Sequence, residues 1–287
     1  MKIIDPHLHL FNLEQGDYQW LKAENPPHWS DKKKIAKNFT EEDLCLSSQL
    51  ELAGFVHIEA GFNNQEPWRE IHWLESHCTL PFKSIAGIDL QLEPSVFSQT
   101  IIQLKKFKSV VGVRDILEDN AIRYLSNQQV QNNLALLAKE QLIFELQMPL
   151  NNLDSVYLLA DILTKTPHLS VVINHAGWPP FQQNKEDEHL YWLKGIKILS
   201  AFEHCAIKCS GYEMTYRNYT ALWQQNIIKH SISSFGIERV MLASNFPLCT
   251  FHSSYQDYWQ QQTSTTSFST DEIAKLCNNN TQRIYSF

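Results

Sequence analysis

The chain has 287 residues, of which 43% are hydrophobic and 11% aromatic, enough to bury a sizeable core and too many for a disordered chain. Lys and Arg number 24 against 31 Asp and Glu, a net charge of −7 with no basic run longer than KKK at 32–34, which excludes a general phosphate-backbone binder and any nucleic-acid partner. No apolar run reaches membrane-spanning length, and Asp5, His7 and His9 fall where a leader peptide would need apolar residues, so a soluble, cytoplasmic chain without a membrane partner is expected.

In chain order, short β-branched or apolar runs occur at KIIDPHLHL (2–10), GFVHIEA (54–60), KSIAGIDLQ (83–91) and VVGVRDIL (110–117). They continue at LIFELQMPL (142–150), SVVINHAG (170–177), AIKCSGY (206–212) and RVMLASNFP (239–247). Segments with helical apolar spacing lie between them, among them EEDLCLSSQLELAG (41–54), VQNNLALLAKEQ (130–141) and DEHLYWLKGIKILSAFEHC (187–205). No Gly- or Pro-rich linker divides the series. Eight strand–helix alternations predict an α/β fold, a (β/α)8 TIM-type barrel forming one domain over 1–287. An open doubly wound sheet is the alternative, weakened because no Gly-rich phosphate turn follows any strand. The six cysteines, at 45, 78, 205, 209, 249 and 277, form no Cys-x-x-Cys pair and read as reduced thiols. Cys209 alternates away from Lys208 and so faces out of the barrel.

A barrel places its chemistry at the C-terminal strand ends, and those ends are polar here. Asp5, His7 and His9 share one strand face by period two. Two imidazoles so spaced suit one metal ion, zinc taking His nitrogens at about 2.0–2.1 Å, with a third protein ligand and a water completing a catalytic site. Each ring has the alternative of an ordinary hydrogen bond within a strand. His175 precedes a Gly and two prolines and can turn into the mouth as third ligand or carbonyl polariser, or instead brace its own turn. Arg114 offers a planar fork to a substrate carboxylate or pairs with Asp115, Asp89 or Glu145. Glu59 and Glu145 are each a candidate metal ligand or general base, with pairing to Arg114 or Lys208 as the alternative, function leading for Glu59 and pairing for Glu145; Gln147 and Lys208 are candidate substrate contacts, with Ser210 and Tyr212 on the same face as Lys208. Tyr18, in YQWL at 18–21, suggests an aromatic lid over the mouth, with Trp20 packing on the rim.

Taken together, DPHLHLFNLEQGDYQWL, VHIEAG, EPWREIHWLES, IAGIDL, VVGVRDIL, NHAGWP, KCSGYEM, RVMLASNFPL and SSYQDYW, in order from residue 4 to about 259, resemble the amidohydrolase-related (amidohydrolase family 2) branch of the metal-dependent hydrolases. The likeness is nearest to the sugar-acid and 2-pyrone-4,6-dicarboxylate lactonases. It implies a distorted (β/α)8 barrel that opens a lactone of a sugar acid or other organic acid, a small acidic substrate. It implies site positions at His7, His9 and His175, Arg114 as carboxylate binder, and either one divalent ion, zinc foremost, or none. Where the superfamily carries an Asp at the end of the last strand, this chain has Asn245. A neutral amide can orient water but cannot take its proton. Glu59 or His57 would then receive it. The fifth strand offers FELQM in place of a bridging lysine, so no binuclear site is expected. A decarboxylase of the same superfamily, or a catalytically silent ligand-binding barrel suggested by Asn245, are the alternative functions.

Overall fold

The structure, a computed structural model, describes residues 1–47, 49–181 and 186–287. Eight strands form one sheet in sequence order: β1 (Lys2–Leu8), β2 (Glu51–Ile58), β3 (Phe82–Gly87), β4 (Val110–Ile116), β5 (Ile143–Gln147), β6 (Val171–Ile173), β7 (Cys205–Cys209) and β8 (Val240–Leu242). Each pairs in parallel with the next. The ring closes where β8 returns to β1: a parallel bridge joins Leu8 to Phe246, Asn245 N–H donates to His7 O at 2.9 Å, and His9 N–H to Phe246 O at 2.7 Å. This is the expected (β/α)8 barrel.

The outer layer holds α1 (Trp68–His77), α2 (Pro94–Leu104), α3 (Ala121–Leu125), α4 (Gln128–Lys139), α5 (Leu153–Lys165), α6 (Glu186–Ser200), α7 (Tyr212–Thr215), α8 (Ala221–Phe235), α9 (Tyr255–Thr263), α10 (Thr270–Ala274) and α11 (Asn280–Ile284). Local sequence explains their starts. Asn152, Thr220 and Ser254 accept from the backbone N–H of Ser155, Trp223 and Asp257, each satisfying a donor that the first turn leaves open. No helix among the described residues is long and apolar enough to cross a membrane.

The helix expected at 41–54 does not form. Only a single 3-10 turn, Glu41–Asp43, follows the Thr40 cap. The Glu41 carboxylate is spent on Thr79 and Leu80 N–H, and from Glu51 onward the chain is drawn into the ladder with β1. Tertiary pairing here overrides a helical apolar pattern. After β1 the chain instead covers the mouth, with Phe11 bridged to Phe39, Tyr18 N–H on Gly61 O at 3.0 Å and Trp20 Nε1–H on Ala60 O at 2.7 Å.

Inside the barrel the side chains lie in layers that period two makes readable. On β5, Ile143, Glu145 and Gln147 share the inner face, running from apolar to charged to polar towards the C-terminal end. Ile143 belongs to an apolar cluster with Val56, Ile58, Ile85, Val172, Ala206, Met241 and Tyr285. Above it, Lys208 Nζ lies 2.7 Å from both Glu145 oxygens, both residues being fully buried, and the Tyr285 hydroxyl donates to Glu145. Burial pushes Lys208 down to about 8 in spite of the carboxylate. Cys209 faces outward, its Sγ on Ser231 Oγ of α8 at 3.5 Å.

Lys208→Met leaves a buried carboxylate with only Tyr285 as partner and is expected to cost about 3–5 kcal/mol, read from the denaturant midpoint. Adding Glu145→Gln should restore most of the loss. A single variant as stable as the parent would show that the barrel tolerates the bare carboxylate.

Candidate active site

The inner face of β1 delivers two histidines to the mouth. His7 and His9 have ring centroids 5.1 Å apart, and His175 comes to 4.7 Å from His7. Residues 168 positions apart in the chain therefore share one site. His175 lies just beyond β6 rather than on it, within a run of left-handed residues: His175 at φ 53°, Ala176 at 51°, Gly177 at 66° and Trp178 at 57°. Each non-glycine there costs about 1–2 kcal/mol. The bend turns the chain sharply off β6, and Trp192 of α6 holds it by donating Nε1–H to Ala176 O at 2.8 Å.

Hydrogen bonds set the tautomers. His9 Nδ1 lies 2.8 Å from Ile58 O; a carbonyl only accepts, so Nδ1 carries the proton and Nε2 the lone pair. His175 Nδ1 meets Ser210 Oγ at 3.1 Å. Both nitrogens of His7 are buried without a partner among the described residues. Burial, reinforced by the positive charges of Lys208 and Arg114, holds His7 and His175 well below the ordinary imidazole pKa, and burial with Arg114 does the same for His9. The three rings are neutral at neutral pH. Asn174, next to His175, is fully buried with neither amide atom partnered among the described residues. Orphan groups of this kind mark where a water or ligand belongs.

The remaining candidates divide. Arg114 pairs not with Asp115, Asp89 or Glu145 but with Glu59: Nε donates to Oε1 at 2.8 Å and Nη2 to the Glu59 carbonyl at 2.7 Å, while Nη1 donates to Gln147 at 3.0 Å. Gln147 passes its own amide N–H to Glu118 at 3.0 Å. Glu59, with its other oxygen on Gly61 N–H at 3.2 Å, is occupied at both ends and poorly placed to act as the base. His57 faces outward. Its Nδ1 accepts from Leu10 N–H at 3.3 Å and its Nε2 donates to Glu70 of α1 at 3.0 Å, so it braces the helix layer and does not receive a proton from the mouth. Lys208 lies a layer lower, locked on Glu145, which removes it from substrate contact. Tyr18 is buried, tilted against Phe11 at 5.3 Å and edge-on to Phe62 at 5.7 Å, with its hydroxyl accepting from Asn12 N–H at 3.0 Å; it is packing within the cover over the mouth.

Asn245 sits at the β8 end in the left-handed region, φ 58°, which Asn tolerates better than most side chains. Its Nδ2 donates to Glu213 Oε1 at 2.6 Å. Glu213 on α7 was not among the sequence candidates. It is 2% exposed, and burial pushes its carboxyl up to about 7, against the bond from Asn245. Beside His175 opens a cavity of about 130 Å³ lined by Asn151, Trp178, Glu188, Thr215, Tyr216 and Trp223, giving the site an aromatic wall interspersed with polar groups.

A divalent ion can be tested against these donors. Neutral imidazoles, one with both nitrogens unengaged and two oriented through Nδ1, have the chemistry that zinc accepts. The fit is one of donor chemistry, since the described residues form no group of three His, Cys, Asp or Glu already arranged around an ion.

A parallel barrel with a buried imidazole cluster at its C-terminal mouth is the architecture of the amidohydrolases. The chain belongs to the amidohydrolase family, whose profile matches residues 108–287. The uncharacterized protein y4mH of Sinorhizobium fredii is 28% identical over 297 positions, covering 99% of this chain and 98% of that one. An amidohydrolase of Burkholderia multivorans, solved with bound zinc, has a TM-score of 0.81 at 17% identity, with 100% of both chains covered. A probable 2-pyrone-4,6-dicarboxylic acid hydrolase of Acinetobacter baumannii, solved with citric acid bound, has a TM-score of 0.68 at 20% identity over 100% of both chains.

Gly211, at φ 72°, abuts the His175 ring, and a Cβ there would lie 2.2 Å from His175 Nδ1. Gly211→Ala is expected to cost about 1–3 kcal/mol and to break the His175–Ser210 bond. Denaturant unfolding checks the first and a crystal structure of the variant the second; an unmoved ring would show that the loop after β7 yields instead.

Proposed function

We propose that this barrel hydrolyses a lactone of a sugar acid or another small organic acid. The observation that carries the reading is the neutral, unpartnered ring of His7 between His9 and His175, within 5.1 Å of each, at the mouth where Arg114 keeps one Nη1 hydrogen beyond its bond to Gln147. Family membership and the acid-bound structural relative support an acidic substrate of this kind.

In the mechanism, Arg114 holds the substrate's carboxylate and His7 donates a hydrogen bond to the carbonyl oxygen. Asn245 Oδ1 accepts a hydrogen bond from the attacking water and orients it, and His9 Nε2, whose lone pair the Ile58 carbonyl fixes, takes the proton that the water gives up. The new bond forms between water oxygen and carbonyl carbon, the ring C–O bond breaks, and the proton on His9 passes to the departing alkoxide. A divalent ion, zinc foremost, would be held by His7, His9 and His175, and would supply carbonyl polarisation and a bound water of pKa about 7.

Protein purified without added metal, offered glucono-1,5-lactone and dihydrocoumarin, is expected to release one acid equivalent per turnover. His7→Ala should lower kcat/KM by about 100-fold or more without lowering the melting temperature. Metal below about 0.1 equivalent with activity unchanged by chelation would assign the reaction to the side chains alone. Carbon dioxide released from an aromatic carboxylate, with no lactone opened, would replace this reading by decarboxylation.

A further inference from the structure

Asn245 is the residue of this site whose backbone is most firmly held. Its N–H donates to His7 O, the preceding Ser244 donates Oγ–H to Asp5 at 2.5 Å, and the next residue bridges to Leu8. Only the side-chain amide can turn. That amide is 1% exposed, so which of its ends faces the histidines has chemical consequences. One end offers an acceptor, the other two donors.

The partner on the far side decides. An ionised carboxylate has no donor, so Glu213 requires Nδ2–H to point at it, as the 2.6 Å bond records. Oδ1 is then turned away from Glu213. It is buried and faces the His9 ring, whose charged form the amide favours by hydrogen bonding. Protonation gives Glu213 an O–H donor beside its remaining carbonyl acceptor, and only the amide oxygen of Asn245 can accept from that O–H; an amide reversed to meet it leaves N–H groups where the acceptor had been.

We infer that Glu213 is a positioning residue acting through Asn245: as a carboxylate it holds Oδ1 towards the histidines as an acceptor for water, and as a carboxylic acid it reverses the amide and withdraws that acceptor. The inference rests on the reading that this site activates water. It gives Asn245 a switchable polarity that neither residue has alone.

The surroundings of Glu213 leave it able to change state near neutral pH. On its own segment Arg217 donates to the Glu213 carbonyl and lowers the carboxyl's pKa, but its charge is shared with Asp31, 3.0 Å away at two contacts. Cys249, from the turn after β8, and Tyr219 and Tyr258, the latter on α9, are the other titratable groups coupled to it; all three are raised by burial and stay neutral. Burial is the largest influence on Glu213 itself and places it at about 7. The carboxylate, and with it the acceptor, is therefore present above about 7 and lost as the pH falls below it.

Two measurements test this. In protein labelled with 15N at Asn side chains and 13C at Glu carboxyls, assigned with Asn245→Asp and Glu213→Gln, the Glu213 carboxyl and the Asn245 amide should titrate together with one midpoint near 7, and Glu213→Gln should abolish the amide's titration while melting like the parent. With glucono-1,5-lactone, parent kcat should fall about tenfold per pH unit on the acid side with KM unchanged, and Glu213→Gln should show a flat, lower kcat. A Glu213 midpoint at its ordinary 4.5, or an Asn245 amide indifferent to Glu213, overturns the inference whatever the enzyme hydrolyses. Joint titration without turnover of any lactone would support the switch and remove only the lactone reading.

Discussion

The site depends on how β8 is sewn to β1. Seven neighbouring strand pairs are joined by backbone ladders, two of them with register shifts, but this last seam is short and partly made by side chains. The Asp5 carboxylate accepts from Ser244 N–H at 3.2 Å, Ser244 Oγ–H at 2.5 Å and His7 N–H at 3.1 Å. Burial still raises Asp5 to about 6, so these bonds offset desolvation only in part. Closing the ring and setting His7, His9 and Asn245 side by side are one event: each of these residues either makes a seam bond through its backbone or sits next to one that does.

A second constraint is the placement of charge in the lumen. Lys208 and Arg114 are both cationic and both buried, and each is answered by one carboxylate, Glu145 below and Glu59 above. Burial, with the positive charges of Lys208 and Arg114, keeps the histidines neutral, and their lone pairs stay available. The arrangement suits a ligand that brings negative charge or electron-rich oxygens, and it disfavours a cationic one. The aromatic wall by Trp178, Tyr216 and Trp223 then offers shape, with Glu188 in the same lining.

The barrel was legible because strand and helix periods alternate eight times, and His7 with His9 because period two puts them on one face. His175 stood out through the Gly and prolines that follow it. Polar strand ends, in contrast, say that a partner exists without saying which. Lys208 and Glu59 found theirs within the protein, and Arg114 found Glu59 and Gln147 while keeping one Nη1 hydrogen over; only coordinates distinguish such pairing from a waiting substrate. Tyr18 carried the composition of a lid and became packing beneath one. The helix expected at 41–54 failed because strand pairing with β1 outweighed a pattern that suited both states. Glu213 lay in KCSGYEM, a stretch already singled out, three residues past Ser210. The missing Asp at 245 was the available signal: a buried amide at a strand end needs an acceptor, and the acidic residue just beyond the adjacent strand was the nearest to supply one.

Tyr285 comes from beyond all eight strands, yet its hydroxyl reaches the Glu145–Lys208 pair and its ring completes the lowest apolar layer. During synthesis, then, a nascent barrel would hold every strand while its central carboxylate still lacked one donor and its floor remained open to water. The C-terminal segment acts as a stopper fitted last. Until it docks, the half of the lumen opposite the histidines is wet, and the low polarity that keeps those rings uncharged is not yet established.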